Sequence, residues 1–207
     1  KMHGSLAQLM GLTEIGAAAQ ANPAIDVAIC PPFTLIQPAV ARAQVMIGAQ
    51  DVHANDKGAH TGDLSAAMLK EAGATLVIVG HSERRTDHGE TSAMVRAKAE
   101  AVIRCGLTAI VCVGETEAER DAGRAVQVVE EQLDGSVPPA ATAATLVIAY
   151  EAVWAIGTGR TPTPADVAEM HKAIRTRLDA SLGSEAGPVR ILYGCLLYTS
   201  DAAERSI

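Results

Sequence analysis

Short, continuous apolar runs alternate with longer amphipathic stretches along most of the chain. The apolar runs predict six strands, at residues 26–30, 45–48, 76–80, 109–113, 146–150 and 189–193. The runs are continuous rather than alternating in polarity, so most of these strands should be covered on both faces, as parallel strands are. The amphipathic stretches predict helices at residues 4–20, 65–72, 91–105, 117–133 and 164–182.

Strands and helices that alternate in this way indicate an α/β fold with a parallel sheet. Two architectures fit the alternation, a doubly wound open sheet and a closed barrel. A glycine-rich turn directly after the first strand would favour a dinucleotide-binding open sheet, but the only similar stretch, GTG at 157–159, comes late and lacks the third glycine. Polar residues follow several strands, and these are Gln50, Asp51, His81, Glu83, Glu115 and Glu151. Such groups at the ends of many strands are typical of barrel enzymes.

Composition narrows the possible partners. The 207 residues are 48% hydrophobic, with no linker or low-complexity block, so the sequence predicts one domain with a substantial core. A net charge of −7 argues against nucleic acid or an anionic membrane as the main partner. No apolar run approaches the roughly 18 residues that a membrane span needs. The four cysteines form no CxxC pair, which favours a reducing compartment.

One candidate for chemistry is Glu151, which follows the fifth predicted strand. An acid in this position is more often a salt-bridged surface residue, but the loop after it, AVWAIGTG at 152–159, is unusually apolar for an exposed segment. Such a loop could close over a ligand and exclude water. Under such a lid, Glu151 could act as a general base if burial raises its pKa.

The second candidate is His81, in the stretch VGHSERR at 79–85. A structural alternative is that this stretch is only a helix start, capped by Ser82. The functional hypothesis needs a partner at another strand end, and Glu151 is the obvious one. A metal site is not expected, because His53, His60, His81 and His88 show neither HxH nor HExxH spacing.

Several stretches taken together resemble the triosephosphate isomerase family. They are AYEAVWAIGTG at 149–159, VGHSERR at 79–85, CVGE at 112–115 and the opening Lys1, Met2, Gly4 and Ser5. They occur in the family's order, and the resemblance runs in register over residues 1–194. It implies a (βα)8 TIM barrel that is usually a cytoplasmic homodimer without cofactors. It also implies interconversion of dihydroxyacetone phosphate and glyceraldehyde 3-phosphate in glycolysis and gluconeogenesis.

The resemblance also implies roles for particular residues. Glu151 would be the base that moves a proton between two substrate carbons, and His81 would polarise the carbonyl. The family is itself the standard example of a glutamate base paired with a neutral histidine. Lys1 would supply positive charge near the substrate oxygens and phosphate, with Glu83 as its ion-pair partner. Arg84 with Glu90 would be a structural ion pair.

Further roles concern the loops. The phosphate-binding residues would be Lys1, Gly157 and Gly194. The lid would include Ala152, Val153, Trp154, Ala155, Ile156, Gly157 and Thr158. In the stretch 49–65, Thr61 would enter the partner subunit of a homodimer.

The sequence departs from the family's pattern in three places. Lys1 begins the chain, whereas the family has a strand before it; Ala152 stands where the family commonly has proline; and CLLYTSDAAERSI at 195–207 lacks the family's continuation. We therefore expect an incomplete barrel without its first and eighth strands, a domain at 1–194 and a non-native tail at 195–207. We also expect the 207-residue chain to be poorly soluble and close to inactive.

Two other functions remain open at this point. One is a different barrel enzyme that acts on a small phosphorylated substrate. The other is a non-catalytic, oligomerising barrel. The presence of both His81 and Glu151 favours the isomerase over either alternative.

Overall fold

A computed structural model describes residues 1–155 and 160–194 of the chain. The expected lid residues Ile156, Gly157 and Thr158 and the expected tail at 195–207 lie outside these ranges. Six parallel strands form one sheet in chain order. They are β1 (Ala28–Ile29), β2 (Met46–Ala49), β3 (Leu76–Val79), β4 (Thr108–Val113), β5 (Leu146–Tyr150) and β6 (Arg190–Tyr193). Every strand overlaps its predicted segment, and the bounds agree within one residue except at the start of β1, which lies two residues later.

Helices connect the strands, as the alternation in the sequence predicts. They are α1 (Leu12–Ala21), α2 (Ile36–Val40), α3 (Ala66–Glu71), α4 (Ser82–Asp87), α5 (Ser92–Arg104), α6 (Glu117–Asp121), α7 (Ala125–Ser136) and α8 (Pro164–Leu182). The predicted helix at 117–133 is two helices, because Gly123, at φ 72°, turns the chain between α6 and α7. The predicted helix at 4–20 is helical only from a short 3₁₀ turn at Gln8–Gly11 onward.

Local sequence explains why α8 begins and ends where it does. Thr163 accepts a hydrogen bond from the backbone N–H of Asp166, and the Asp166 side chain bonds back to Thr163. This capping box and Pro164 at the first position are both favourable at a helix start. Gly183, at φ 58°, lies directly after the last turn. The termini of α8 could therefore be predicted from the sequence.

The sheet is curled as in a TIM barrel but is not closed. Arg190, at the start of β6, forms an ion pair with Asp26, two residues before β1. The two edge strands therefore approach each other at their amino-terminal ends. The expected incomplete barrel is thus the fold of the described residues. Among those residues, no helix combines the length and the apolar character needed to cross a membrane.

A buried ionic cluster joins the sheet to the helices near the carboxyl-terminal ends of the strands. We call this end of the barrel the mouth. Lys98 of α5 donates to Asp51, at 2.7 Å, and to Glu90, at 2.5 Å. Arg84 of α4 donates to Glu90 at 2.6 Å and lies 2.9 Å from Asp51, so the expected pair of Arg84 with Glu90 is one part of a larger cluster. Burial alone would raise the pKa of Glu90, but hydrogen bonds from Lys98 and Arg84 outweigh it and hold that pKa below 4.5. This contribution to stability is present above pH 4.5 and is lost as the pH falls through the lower pKa of the folded state.

Replacing Lys98 with methionine should destabilise the fold strongly. The substitution keeps the length of the side chain but leaves two buried carboxylates with Arg84 as their one remaining cation in the described cluster. Removing one charge from a buried ionic group costs about 3–5 kcal/mol. Denaturant unfolding measures the loss. Lys172→Met, at an exposed position of α8, is the matched control and should change stability by no more than about 0.5 kcal/mol. Equal, small effects in both variants would contradict the role of the cluster.

Candidate active site

The carboxylate of Glu151 is buried at the carboxyl-terminal end of β5. Its backbone N–H donates to the carbonyl of Val113 at the end of β4, at 2.9 Å. Gly114 makes this approach possible, since a Cβ there would lie 1.9 Å from the carbonyl oxygen of Glu151. Oε2 of Glu151 accepts a 2.6 Å hydrogen bond from the hydroxyl of Ser82, and Oε1 lies 3.8 Å from Nε2 of His81. The acid is thus oriented by groups that follow β3.

The ring of His81 is oriented by the start of α4. His81, not Ser82, is the N-cap residue, because its Nδ1 accepts the backbone N–H of Glu83 at 3.2 Å. The interpretation of this stretch as a helix start capped by Ser82 was therefore wrong about the capping residue. The hydroxyl of Ser82 donates to Glu151 instead. Since Nδ1 accepts, the neutral ring carries its proton on Nε2, the nitrogen that faces Glu151.

Surrounding groups keep this imidazole neutral. Burial is the largest influence and lowers the pKa of His81 below 6.5. The negative charge of Glu151 acts to raise this pKa, whereas the positive charge of Lys1 lowers it further. At neutral pH, Nε2 is therefore an N–H donor on an uncharged ring. The site combines a carboxylate acceptor with a neutral donor 3.8 Å away, the pair of groups needed to move a proton next to a carbonyl.

Lys1 and Glu83 lie at the same mouth. The ammonium group of Lys1 forms an ion pair with Oε1 of Glu83. The side chain of Gln50 donates to the carbonyl of Lys1 at 3.1 Å and to that of Cys30 at 2.8 Å, which fixes the backbone of Lys1 against the sheet. A cavity of about 450 Å³ opens here and has Lys1, His81 and Glu83 in its wall.

The first residues of the expected lid, 152–155, are held in place by the buried acid Glu115. Ala152 is buried, and Val153–Ala155 form a 3₁₀ turn. The indole N–H of Trp154 donates to Oε1 of Glu115 at 2.7 Å, and the hydroxyl of Tyr150 donates to the same oxygen at 3.1 Å. Burial raises the pKa of Glu115, and these hydrogen bonds oppose the rise.

Two cations cover the indole ring. The guanidinium groups of Arg120 and Arg160 lie 4.4 and 5.0 Å from the ring centre of Trp154, at cation–π distances. Arg160 also pairs with Glu117 of α6 at 2.8 Å. The first residues of the lid are therefore held against the segment that follows β4.

The remaining residues that the resemblance assigns to phosphate binding or to the dimer contact do not all lie at the mouth. The backbone N–H of Gly194 donates to the carbonyl of Tyr150 at 2.8 Å, so Gly194 lies at the same rim as Glu151. Thr61 is exposed on the loop between β2 and α3 and is not part of this group. Gly157 lies outside the described residues. The sequence identifies Glu115 as an acid at a strand end and Ser82 as a possible helix cap, but it does not predict that Glu115 binds Trp154 or that Ser82 binds Glu151.

Comparison with known proteins places this fold and site in a family. The family model described as "Triosephosphate isomerase" matches residues 1–206. The chain belongs to the triosephosphate isomerase family. The triosephosphate isomerase of Afipia carboxidovorans is 60% identical over 208 residues, which cover 99% of this chain and 83% of the relative. That of Rhodopseudomonas palustris is 55% identical over 211 residues, with the same two coverages.

A solved structure agrees with these sequence matches. The crystal structure of triosephosphate isomerase from Bartonella henselae superimposes with a TM-score of 0.85 at 44% identity, over 94% of this chain and 79% of that one. The expected TIM barrel, incomplete in the described residues, is therefore confirmed. So is the expected class of enzyme, an isomerase of the triosephosphate isomerase family, which was predicted from the motifs around His81 and Glu151.

Proposed function

We propose that Glu151 and His81 together interconvert dihydroxyacetone phosphate and glyceraldehyde 3-phosphate, the reaction of this family in glycolysis and gluconeogenesis. The observation that supports these roles is the 3.8 Å separation between Oε1 of Glu151 and the protonated Nε2 of His81. A three-carbon ligand at this mouth can touch both groups at once. Neither group needs a metal or an organic cofactor for this chemistry.

The proton transfer proceeds through an enediolate. Glu151 removes a proton from the carbon next to the carbonyl, and the electron pair of the broken C–H bond forms a C=C bond while the carbonyl oxygen becomes an oxyanion. The N–H of His81 donates to that oxyanion, which lowers the barrier. His81 gives its Nε2 proton to that oxygen and takes the proton of the neighbouring hydroxyl, whose oxygen becomes the new carbonyl. Glu151 returns its proton to the former carbonyl carbon, so the product is an isomer and no atom is gained or lost. The hydrogen bond from Ser82 keeps the carboxylate aimed at the substrate.

Positive charge and enclosure complete the proposed site. Lys1, next to Glu83, attracts the phosphate and the developing oxyanion. Gly157 supplies a backbone N–H group to the phosphate. Gly194 borders the phosphate at the same rim, with its own N–H bonded to the carbonyl of Tyr150. The lid from Ala152 to Thr158 excludes water, which protects an enediol phosphate from losing its phosphate. The buried anchor of Trp154 on Glu115 fixes the hinge from which the lid moves.

We further propose a cytoplasmic homodimer and one catalytic domain at residues 1–194, with 195–207 a non-native tail. Thr61 supports the dimer, since it is exposed on a loop that resembles the family's intersubunit loop. A chain with net charge −7 suits neither nucleic acid nor an anionic membrane as a partner. The proposed partners are therefore a triose phosphate and a second copy of the chain.

A coupled isomerase assay tests the proposed function. The assay uses a chimera in which residues 1–194 are joined to the flanking segments of the Afipia relative, which is longer than this chain. We expect turnover of both triose phosphates in the chimera. A folded chimera that binds triose phosphate without converting it would favour the non-catalytic barrel, and one that converts only another phosphorylated compound would favour a different barrel enzyme.

A further inference from the structure

We propose that His53, His60 and Asp63 form a binding site for a divalent transition metal of the zinc class, on the loop between β2 and α3. Each residue offers one ligand atom, and the three atoms lie within 4.8 Å of one another. The three residues have no part in the chemistry proposed at Glu151. Their spacing along the chain matches no metal motif, so only the folded loop brings them together.

The loop holds these side chains in a closed frame. The backbone N–H of His53 donates to the carbonyl of Leu64 at 2.8 Å, and His53 forms an isolated bridge with Ser65. The loop thus has two arms, one that carries His53 and one that carries His60 and Asp63. Within the second arm, the backbone N–H of Asp63 donates to the carbonyl of His60 at 3.0 Å. Both arms are thereby tied by main-chain bonds, and a metal would find the ligands already gathered.

The separations are close to those of a metal site. Nε2 of His53 lies 3.9 Å from Oδ2 of Asp63, and the three ligand atoms all lie within 4.8 Å of one another. Ligands at zinc distances in a tetrahedron lie about 3.4 Å apart. A separation of 4.8 Å must therefore shrink by about 1.4 Å, and rotation about side-chain bonds of the exposed His60 and Asp63 can supply this.

The donor set selects the class of metal. Two imidazoles and one carboxylate are typical ligands of zinc, whereas calcium and magnesium prefer oxygen ligands throughout. Three protein ligands leave a fourth tetrahedral position for water. His60 and Asp63 are exposed, so a hydrated ion can reach the site directly.

Asn55 occupies the lone pairs that a metal would need. Its side-chain NH₂ donates to Nε2 of His60 at 3.0 Å, and its backbone N–H donates to Nδ1 of His53 at 3.0 Å. Whichever nitrogen of His53 binds the metal, Nδ1 loses its role as acceptor, since it is then either metal-bound or protonated. Metal binding must therefore break the hydrogen bond from the backbone N–H of Asn55 to His53. Asn55 is exposed, so this N–H can bond to water instead.

A bound metal would stiffen the segment that carries Thr61, because His60 and Asp63 flank that residue. All three ligands belong to one chain, and the loop that carries them is also the one proposed to enter the partner subunit. The direct consequence of metal binding is local: the two arms of the loop become linked through the ion as well as through the backbone.

Calorimetric titration of the purified chimera, which keeps residues 1–194, with Zn²⁺ tests the site. We expect one Zn²⁺ per chain in a saturable event. His53→Ala, His60→Ala and Asp63→Ala should each weaken binding by at least about 10-fold, since even the loss of an outer-shell partner costs 10- to 100-fold. The controls are His3→Ala and His88→Ala, which remove histidines outside the cluster and should leave this event unchanged. Absence of saturable binding, or equal binding in all variants, would overturn the proposal.

Limited proteolysis gives a second, independent measurement. Trypsin can cut after Lys57, inside the loop. Zn²⁺ should slow this cut in the parent chain and not in His60→Ala, while cuts elsewhere in either chain proceed at unchanged rates. A Zn²⁺ effect of equal size in both chains would show that the ion does not act through this cluster.

Discussion

Glu151→Gln should lower kcat of the completed barrel by about 10²–10⁴-fold, the range that a positioned general base contributes. The amide has nearly the same shape as the carboxylate and can still accept the hydrogen bond that Ser82 now donates at 2.6 Å. It cannot, however, take a proton from carbon. Substrate binding should change much less than turnover, because the lost interaction is made only in the transition state.

The comparison for this variant is Glu71→Gln, at an exposed position of α3. It removes the same charge from the chain without touching the mouth of the barrel, and kcat should stay within about twofold because such surface changes are usually neutral. Both variants are assayed in the chimera with restored flanking segments, and thermal unfolding confirms that each is folded. Equal turnover in the two variants would remove Glu151 from the mechanism.

His81→Gln should lower kcat by about 10²–10³-fold, the loss measured when one oxyanion donor is removed. A glutamine amide can donate a hydrogen bond, but it cannot accept the N–H of Glu83 and donate to the oxyanion with the same rigid geometry. The matched control is His3→Gln, at an exposed position outside the wall of the cavity, which should retain nearly full activity. A His81→Gln enzyme as fast as this control would show that the imidazole is not the electrophile.

The pH dependence of stability gives a second measure of His81. Its pKa in the folded state lies below the usual 6.5, chiefly through burial, so the unfolded chain binds a proton more readily than the folded one. Stability is therefore complete above pH 6.5 and decreases as the pH falls from 6.5 towards the lower pKa of the folded state. His81→Gln should remove this part of the acid-side loss, which denaturant unfolding at pH 7.5 and pH 5.5 can measure.

The strands and the best-capped helix could be predicted from the sequence because their signals are local. Continuous apolar runs such as 146–150 form strands, although only one face of β5 is fully buried and the other is half-buried. The Thr163–Asp166 capping box fixes the start of α8. Helix α2 was missed because it is only five residues long and contains Pro38. The break between α6 and α7 was missed because a single Gly123 in an amphipathic run is a weak signal.

The site was only partly predictable, because its remaining contacts join residues far apart in sequence. His81 and Glu151 could be named from their positions at strand ends. The hydrogen bond from Ser82 to Glu151 spans 69 positions, and His81 as an N-cap is uncommon for that residue type. The cluster of His53, His60 and Asp63 depends on how one loop folds back, which spacing alone does not show.

The most direct test of the shared mouth is a crystal structure of the chimera with a bound two-carbon phosphorylated carboxylate, which mimics the enediolate. We expect His81 Nε2 and the Glu151 carboxyl group both to lie within about 3.2 Å of that one ligand, a hydrogen-bonding distance. A ligand bound in the barrel that touches only one of the two side chains, or neither, would contradict this expectation.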